Sequence, residues 1–154
     1  MANAIIGGWR LGGILIFQGG FPFTPSLGAA DPTNSGRSYG LRPNVAGTGK
    51  VANQNRNQWF NISDFPVPAQ FTIGNAGRDI LRGPGLSNQD LSLHKDFHFT
   101  ERMYLQFRAE YFNAFNVTNL SNPNTSVDLP AVGGKIFSTS TAARIGQFAL
   151  KVYF

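Results

Sequence analysis

The side chains able to bind a ligand or a metal gather in one stretch of this sequence. Asp90, His94, Asp96 and His98 fall on even positions of the run 90–99, and Gln106, Arg108 and Glu110 fall on even positions of the run that follows. Carboxylates, imidazoles and a guanidinium on one side of a sheet would line a ligand path or hold a metal. The spacing decides against the metal. His94 and His98 recur at i, i+4, which stacks two ligands on a helix but sets them about 13 Å apart along a strand. No shared ion is expected, and these groups read as mutually neutralising polar residues that line a wet interior at little desolvation cost.

The elements that must carry them are strands. In 90–99 the odd positions are Leu91, Leu93, Lys95, Phe97 and Phe99, a period of two. The alternation resumes after Thr100, Glu101 and Arg102 in Met103, Leu105, Phe107, Ala109 and Tyr111, so two strands and a tight turn make a hairpin. A third alternation closes the chain, with Gly146, Phe148, Leu150, Val152 and Phe154 on one side and Gln147 and Lys151 on the other. A fourth, near the start, places Trp9, Leu11, Leu15 and Phe17 together, although Ile14 and Ile16 blur it. Four main strands are therefore expected near 8–18, 88–99, 103–115 and 144–154, antiparallel and in chain order. In the central hairpin the opposed residue numbers should add to 202, which leaves Asp96 diagonal to Arg108 and within reach of an ion pair.

The connections are very unequal. Segments 20–87 and 116–141 are rich in Asn, Pro, Gly and Ser and read as loops. Loops of that length are anomalous inside a compact soluble domain. They are the rule in outer-membrane barrels, which combine short periplasmic turns, long extracellular loops and apolar-out, polar-in strands of about ten residues. A periplasmic C-terminus fits the order long, short, long.

Composition agrees. Hydrophobic residues make up 42% of the 154, yet charged residues only 14%, below the roughly 25% of a soluble protein. Phe occurs 14 times and Gly 18 times. The net charge of +5 is spread singly along the chain, which speaks against nucleic acid, and the lack of cysteine excludes a disulfide framework or thiolate metal site. No apolar run approaches the ~20 residues of a membrane-spanning helix, and Met1 to Gly8 has none of the marks of a secretory signal, so the N-terminus of an exported barrel is expected to be missing. The sequence lacks the nucleophile-elbow, phosphate-loop and zinc-helix motifs, and no catalysis and no cofactor are expected.

The terminal alternation of Phe148, Leu150, Val152 and Phe154 resembles the signature read by the outer-membrane barrel-assembly machinery. Beyond it, the segments Gly8-Trp9-Arg10-Leu11-Gly12-Gly13-Ile14, Gln18-Gly19-Gly20-Phe21-Pro22-Phe23-Thr24, Gln58-Trp59-Phe60-Asn61, Gly74-Asn75-Ala76-Gly77-Arg78, Leu81-Arg82-Gly83-Pro84-Gly85 and Arg108-Ala109-Glu110-Tyr111-Phe112-Asn113-Ala114-Phe115-Asn116 resemble, in order and spacing, the end of TonB-dependent receptors with an Oar-like barrel. The resemblance implies a bacterial outer-membrane location and an all-β, antiparallel transmembrane barrel of about 22 strands around a plug. It implies uptake of a scarce ligand driven through TonB, with this chain as the C-terminal fragment of that barrel.

The plug and the TonB-contacting region would lie in missing N-terminal parts, so the chain is not expected to transport alone. Its expected partners are outer-membrane lipid and the assembly machinery. Lys95, on the side assigned to lipid, is expected to snorkel at the interface. Loop 20–87 would either bind a ligand or pack on the rim. Two other readings fit the strand count: a trimeric anchor in which each chain gives four strands, and a soluble all-β module that grips its ligand with loop aromatics.

Overall fold

The computed structural model describes residues 7–37 and 39–154. Its strands are β1 (Trp9–Gln18), β2 (Pro22–Phe23), β3 (Leu81–Arg82), β4 (Leu86–His98), β5 (Tyr104–Phe112) and β6 (Ile145–Tyr153), with one 3₁₀ turn at Ile62–Asp64. The described residues contain no α-helix. They fall into two compact units: one holds the four long strands, the other comprises Gly19–Gly85 and Leu120–Ser140.

In the first unit β1, β4, β5 and β6 form an open antiparallel sheet in that order, each strand beside its neighbour in the chain of long strands. The fold is therefore the expected all-β antiparallel one, with the long strands starting and ending within about three residues of the expected bounds. In the β4–β5 hairpin the opposed numbers add to 202 throughout: Phe97 faces Leu105, Lys95 faces Phe107, His94 faces Arg108 and Ser92 faces Glu110. The turn that fixes this register is local. The amide of Phe99 donates to the carbonyl of Met103 at 2.9 Å, and the Thr100 hydroxyl accepts from the Met103 amide at 3.0 Å, a side chain substituting for a backbone acceptor.

The other two registers preserve the same division of faces. β1 pairs odd with odd residues, as in Leu11 with Leu93, whereas β5 pairs odd with even residues of β6, as in Phe107 with Leu150. That parity change is what a strand with even-numbered apolar residues requires, since a slip of one would turn every side chain over. One face thus carries Leu11, Leu15, Phe17, Leu91, Leu93, Phe97, Leu105, Phe107, Phe148, Leu150 and Val152, and the other carries nearly all the charge. Ile14 and Ile16, which blurred the pattern, lie on the charged face opposite Asp90 and Asn88.

The second unit departs from the expectation of plain loops. It has its own core of Phe23, Leu27, Phe60, Phe65, Leu81 and Val127, with the Phe60 ring 5.5 Å from Phe23 and 5.9 Å from Phe65. The two-residue strands β2 and β3 pair within it. Segments a hundred residues apart are laced together: the Ser26 amide donates to Thr125 at 2.9 Å and the Val127 amide donates back to Ser26 at 2.9 Å. Period-two reading misses such a unit because its core residues sit singly in turns and in two-residue strands, without a repeat to mark them.

Candidate functional site

Three surfaces could carry a function: the two faces of the sheet and the second unit. The charged face is built by register. Asp90, His94 and Asp96 of β4 and Gln106, Arg108 and Glu110 of β5 all project from it, as the alternation required. Their pairing differs from expectation in one respect. Asp96 does not meet Arg108; it forms its ion pair with Arg10 of β1 and accepts from Gln106 Nε2 at 2.9 Å. Arg108 turns to Glu110, two residues along its own strand, and Glu110 also accepts from Gln147 of β6. The reason is a third strand. Arg10 lies opposite His94, so it is diagonal to Asp96 from the other side, and β1 is too far away in sequence for the hairpin alone to reveal it.

The result is two short chains of polar contacts, Arg10–Asp96–Gln106 and Arg108–Glu110–Gln147, which between them span all four strands. His94 lies directly between Arg10 and Arg108. A shallow depression of about 290 Å³ lies among Arg10, Gly12, Ser92, His94 and Gln106. Gly12 leaves room on this floor, since a Cβ there would stand 2.8 Å from Ser92 Oγ. His94 and His98 remain four residues apart on β4, and the described residues contain no cluster of three or more metal-ligating side chains.

The apolar face has one cation, and it does not snorkel. Lys95 is only 1% exposed. Its ammonium donates to the carbonyl of Gly7 at 3.0 Å and lies 4.8 Å from the centre of the Trp9 ring and 5.0 Å from that of Phe97. Trp9 and Phe107 flank it on the neighbouring strands, their rings 6.4 Å apart edge to face. The side chain is sheathed by aromatics and compensated by a carbonyl, which offsets the cost of removing an ammonium from water. By contrast Phe148, Leu150 and Val152 on β6 and Phe154 beyond it are all exposed, Phe154 at 98%.

Two asparagines, Asn113 inside the expected strand 103–115 and Asn119 in the expected loop 116–141, fix the ends of the sheet. Asn113 stops β5 by turning left-handed at φ 49°, a conformation Asn tolerates better than most side chains. Its buried amide accepts from the Val117 amide at 2.9 Å and donates to the carbonyls of Val117 and Ala142, each at 3.0 Å. Asn119 clasps Ser87 in the manner of a strand partner, accepting from its amide at 2.8 Å and donating to its carbonyl at 3.0 Å. The Phe-Asn-x-Phe-Asn run at 112–116 was the signal available for the first of them.

In the second unit Asp128 plays a comparable part. Burial by itself would raise its carboxyl pKa, but the amides of Gly28, Ala30 and Ala29, at 2.6, 2.7 and 2.8 Å, outweigh it and hold the group below the ordinary aspartate value. A cavity of about 470 Å³ opens between residues 48–54 and 80–83 of this unit.

The family comparison bears on what such a sheet is for. Residues 1–147 match a family described as an outer membrane beta barrel domain. The chain belongs to that family. It resides in the bacterial outer membrane, and the open four-stranded sheet with one apolar and one charged face is part of a membrane barrel, not of a soluble sandwich. No similarity to a curated protein or to a solved structure was found.

Proposed function

We propose that this barrel segment belongs to a TonB-dependent receptor with an Oar-like barrel and serves ligand uptake, without catalysis or cofactor. The sheet carries the barrel part of the reading, and the order and spacing of the segments from Gly8 to Asn116 support the receptor part. The sheet has one face of Leu and Phe, one face of compensated charge, and two outer edges, on β1 and β6, with no strand paired to them among the described residues. Four strands enclose no lumen, since about eight are needed even for a barrel filled by its own side chains. Open edges are not tolerated in hydrocarbon. Transport therefore requires further strands on both edges.

In this reading the apolar face meets outer-membrane lipid and the charged face, with Arg10, His94, Asp96, Gln106, Arg108 and Glu110, lines the interior. The hairpin turn at 99–103 is periplasmic, and the long connections are extracellular. TonB would be contacted by plug and N-terminal regions of the receptor, not by any residue described above. Phe148, Leu150, Val152 and Phe154 form the strand offered to the assembly machinery, supported by their exposure along an unpaired edge.

The test uses the full-length barrel. Deleting Phe154 or replacing it with a charged residue should lower the amount of heat-modifiable, folded barrel in the outer membrane. Leu105→Ala, which removes apolar area on the same face but outside β6, should lower it less. Insertion of Phe154 variants at the wild-type level would refute the assembly role. Loss of ligand uptake on removal of the TonB-energised system is the corresponding test of the receptor reading.

A further inference from the structure

The cavity of the second unit has walls held by bonds of several kinds. On one side, the chain around Gly49 is tied to the 3₁₀ turn: its amide donates to Asp64 Oδ2 at 2.7 Å and its carbonyl accepts from the Asn61 amide at 2.9 Å. Gly49 has φ +71°, and a Cβ there would stand 2.8 Å from the Phe65 ring, so neither the conformation nor the space admits another residue cheaply. On the other side, β3 is paired to β2, and the carbonyl of Arg82 accepts from Trp59 Nε1 at 2.8 Å. Gln54 closes one end by donating to the Trp59 carbonyl at 2.9 Å. A site whose walls are bonded to a packed core is pre-organised, which spares a ligand the cost of ordering it.

The lining is one-sided in charge. It includes Lys50 and Arg82 and no carboxylate, and neither cation takes part in an ion pair among the described residues. Arg82 spends one guanidinium nitrogen on the carbonyl of Gly20 at 3.3 Å. The apolar lining comes from Val51, Phe60, Ile80 and Leu81, of which Phe60 and Leu81 are buried. At about 470 Å³ the space falls within the range of small-molecule sites, roughly 300–1,000 Å³.

We infer that this cavity binds a small organic anion, an oxyanion head on a compact apolar body, with Arg82 and Lys50 on the head and Phe60, Ile80 and Leu81 against the body. Arg82 supplies a planar fork suited to a carboxylate or phosphate, and Lys50 a point charge. As a cargo for uptake the ligand rests on the receptor reading above; the binding itself does not, so it is measured without transport.

The experiment is calorimetric titration of the full chain in detergent micelles with benzoate, phenyl phosphate, benzamide and inorganic phosphate. Saturable binding is expected for benzoate or phenyl phosphate, the better of the two identifying the head group, and at least ten-fold weaker binding for benzamide and for inorganic phosphate. Raising the salt concentration should weaken it. The double variant Lys50→Gln/Arg82→Gln should lose at least ten-fold in affinity while tryptophan emission is unchanged, because the acceptor of Trp59 is a main-chain carbonyl that the substitution keeps. Thr48→Asp, which places a carboxylate in the lining while keeping an oxygen for the Lys50 amide, should do the same. Equal binding of benzamide, equal binding of inorganic phosphate, or wild-type affinity in the folded double variant and in Thr48→Asp would each overturn the inference. Binding without any TonB-dependent uptake would leave the site standing and remove the ligand's role as cargo.

Discussion

The sheet and the second unit satisfy opposite halves of the folding problem. In the sheet the backbone groups between strands are paired by three continuous ladders, yet its apolar side chains stay largely uncovered: Leu11, Phe17, Phe148 and Leu150 are all exposed. In the second unit a core of apolar side chains is covered, with Leu27, Phe60, Phe65 and Ile136 at 2% exposure or less although Phe71, Ile73 and Phe137 stay exposed, whereas regular ladders amount to two residues on each of β2 and β3. There the backbone is satisfied piecemeal, by carbonyls of distant turns and by the carboxylates of Asp64 and Asp128. A buried amide must find a partner in either case. The difference teaches which solvent each region is built for. The sheet lacks strands on its two outer edges and an apolar medium against one face, which hydrocarbon provides; the second unit has made an apolar interior of its own.

The sharpest way to break this comparison is to remove a core ring. Phe60→Ala should destabilise the second unit by about 3–5 kcal/mol, the usual cost of deleting a buried aromatic. Hydrogen exchange should show faster exchange at amides such as Asn61 and Trp59 and unchanged protection in β4 and β5. Equal loss of protection in the strands would mean that the two regions do not fold as separate units. A charge on the apolar face should act in the converse way. Leu93→Arg should cost roughly 2–4 kcal/mol of barrel stability if that row lies near the membrane centre, measured by denaturant titration in lipid, whereas Gln106→Arg on the charged face should cost far less. A similar cost for both would undo the assignment of faces.

Smaller effects sharpen the picture. Asn113→Ala removes the partners of the Val117 amide and the Ala142 carbonyl, a loss of about 1–3 kcal/mol that should appear first as fraying at the end of β5. Asp128 predicts a pH dependence of the second unit alone. Its folded pKa is lowered, so its contribution is complete above the ordinary aspartate range and disappears as the pH falls through the lower folded value. Acid should therefore release segment 28–30 in wild type, and Asp128→Asn should abolish that pH dependence; nuclear magnetic resonance of the three amides would detect both. The smallest effect is expected for Arg10→Gln. The Arg10–Asp96 pair has a largely exposed guanidinium and is expected to be worth less than about 1 kcal/mol, and less again at high salt.

The four long strands, their order and the hairpin register were legible in the sequence because each rests on local rules. Alternation fixes which residues share a face, and the short turn through Thr100 leaves one register that keeps Leu93 and Phe107 together. The six polar residues from Asp90 to Glu110 could be placed on one face for the same reason. Who pairs with whom on that face was not legible, because Arg10, 86 residues before Asp96, reaches it only after β1 has docked on β4. Nor was the sheathing of Lys95, which depends on Trp9 from that same strand. The second unit was hidden more completely. Its core gathers Phe23, Phe60 and Val127 from a two-residue strand and from turns without period, and its ties run from Ser26 to Thr125 and from Gly28 to Asp128. Periodicity reports on a residue's relation to its own element; contacts between distant turns carry no periodic mark and arise only when the tertiary structure closes.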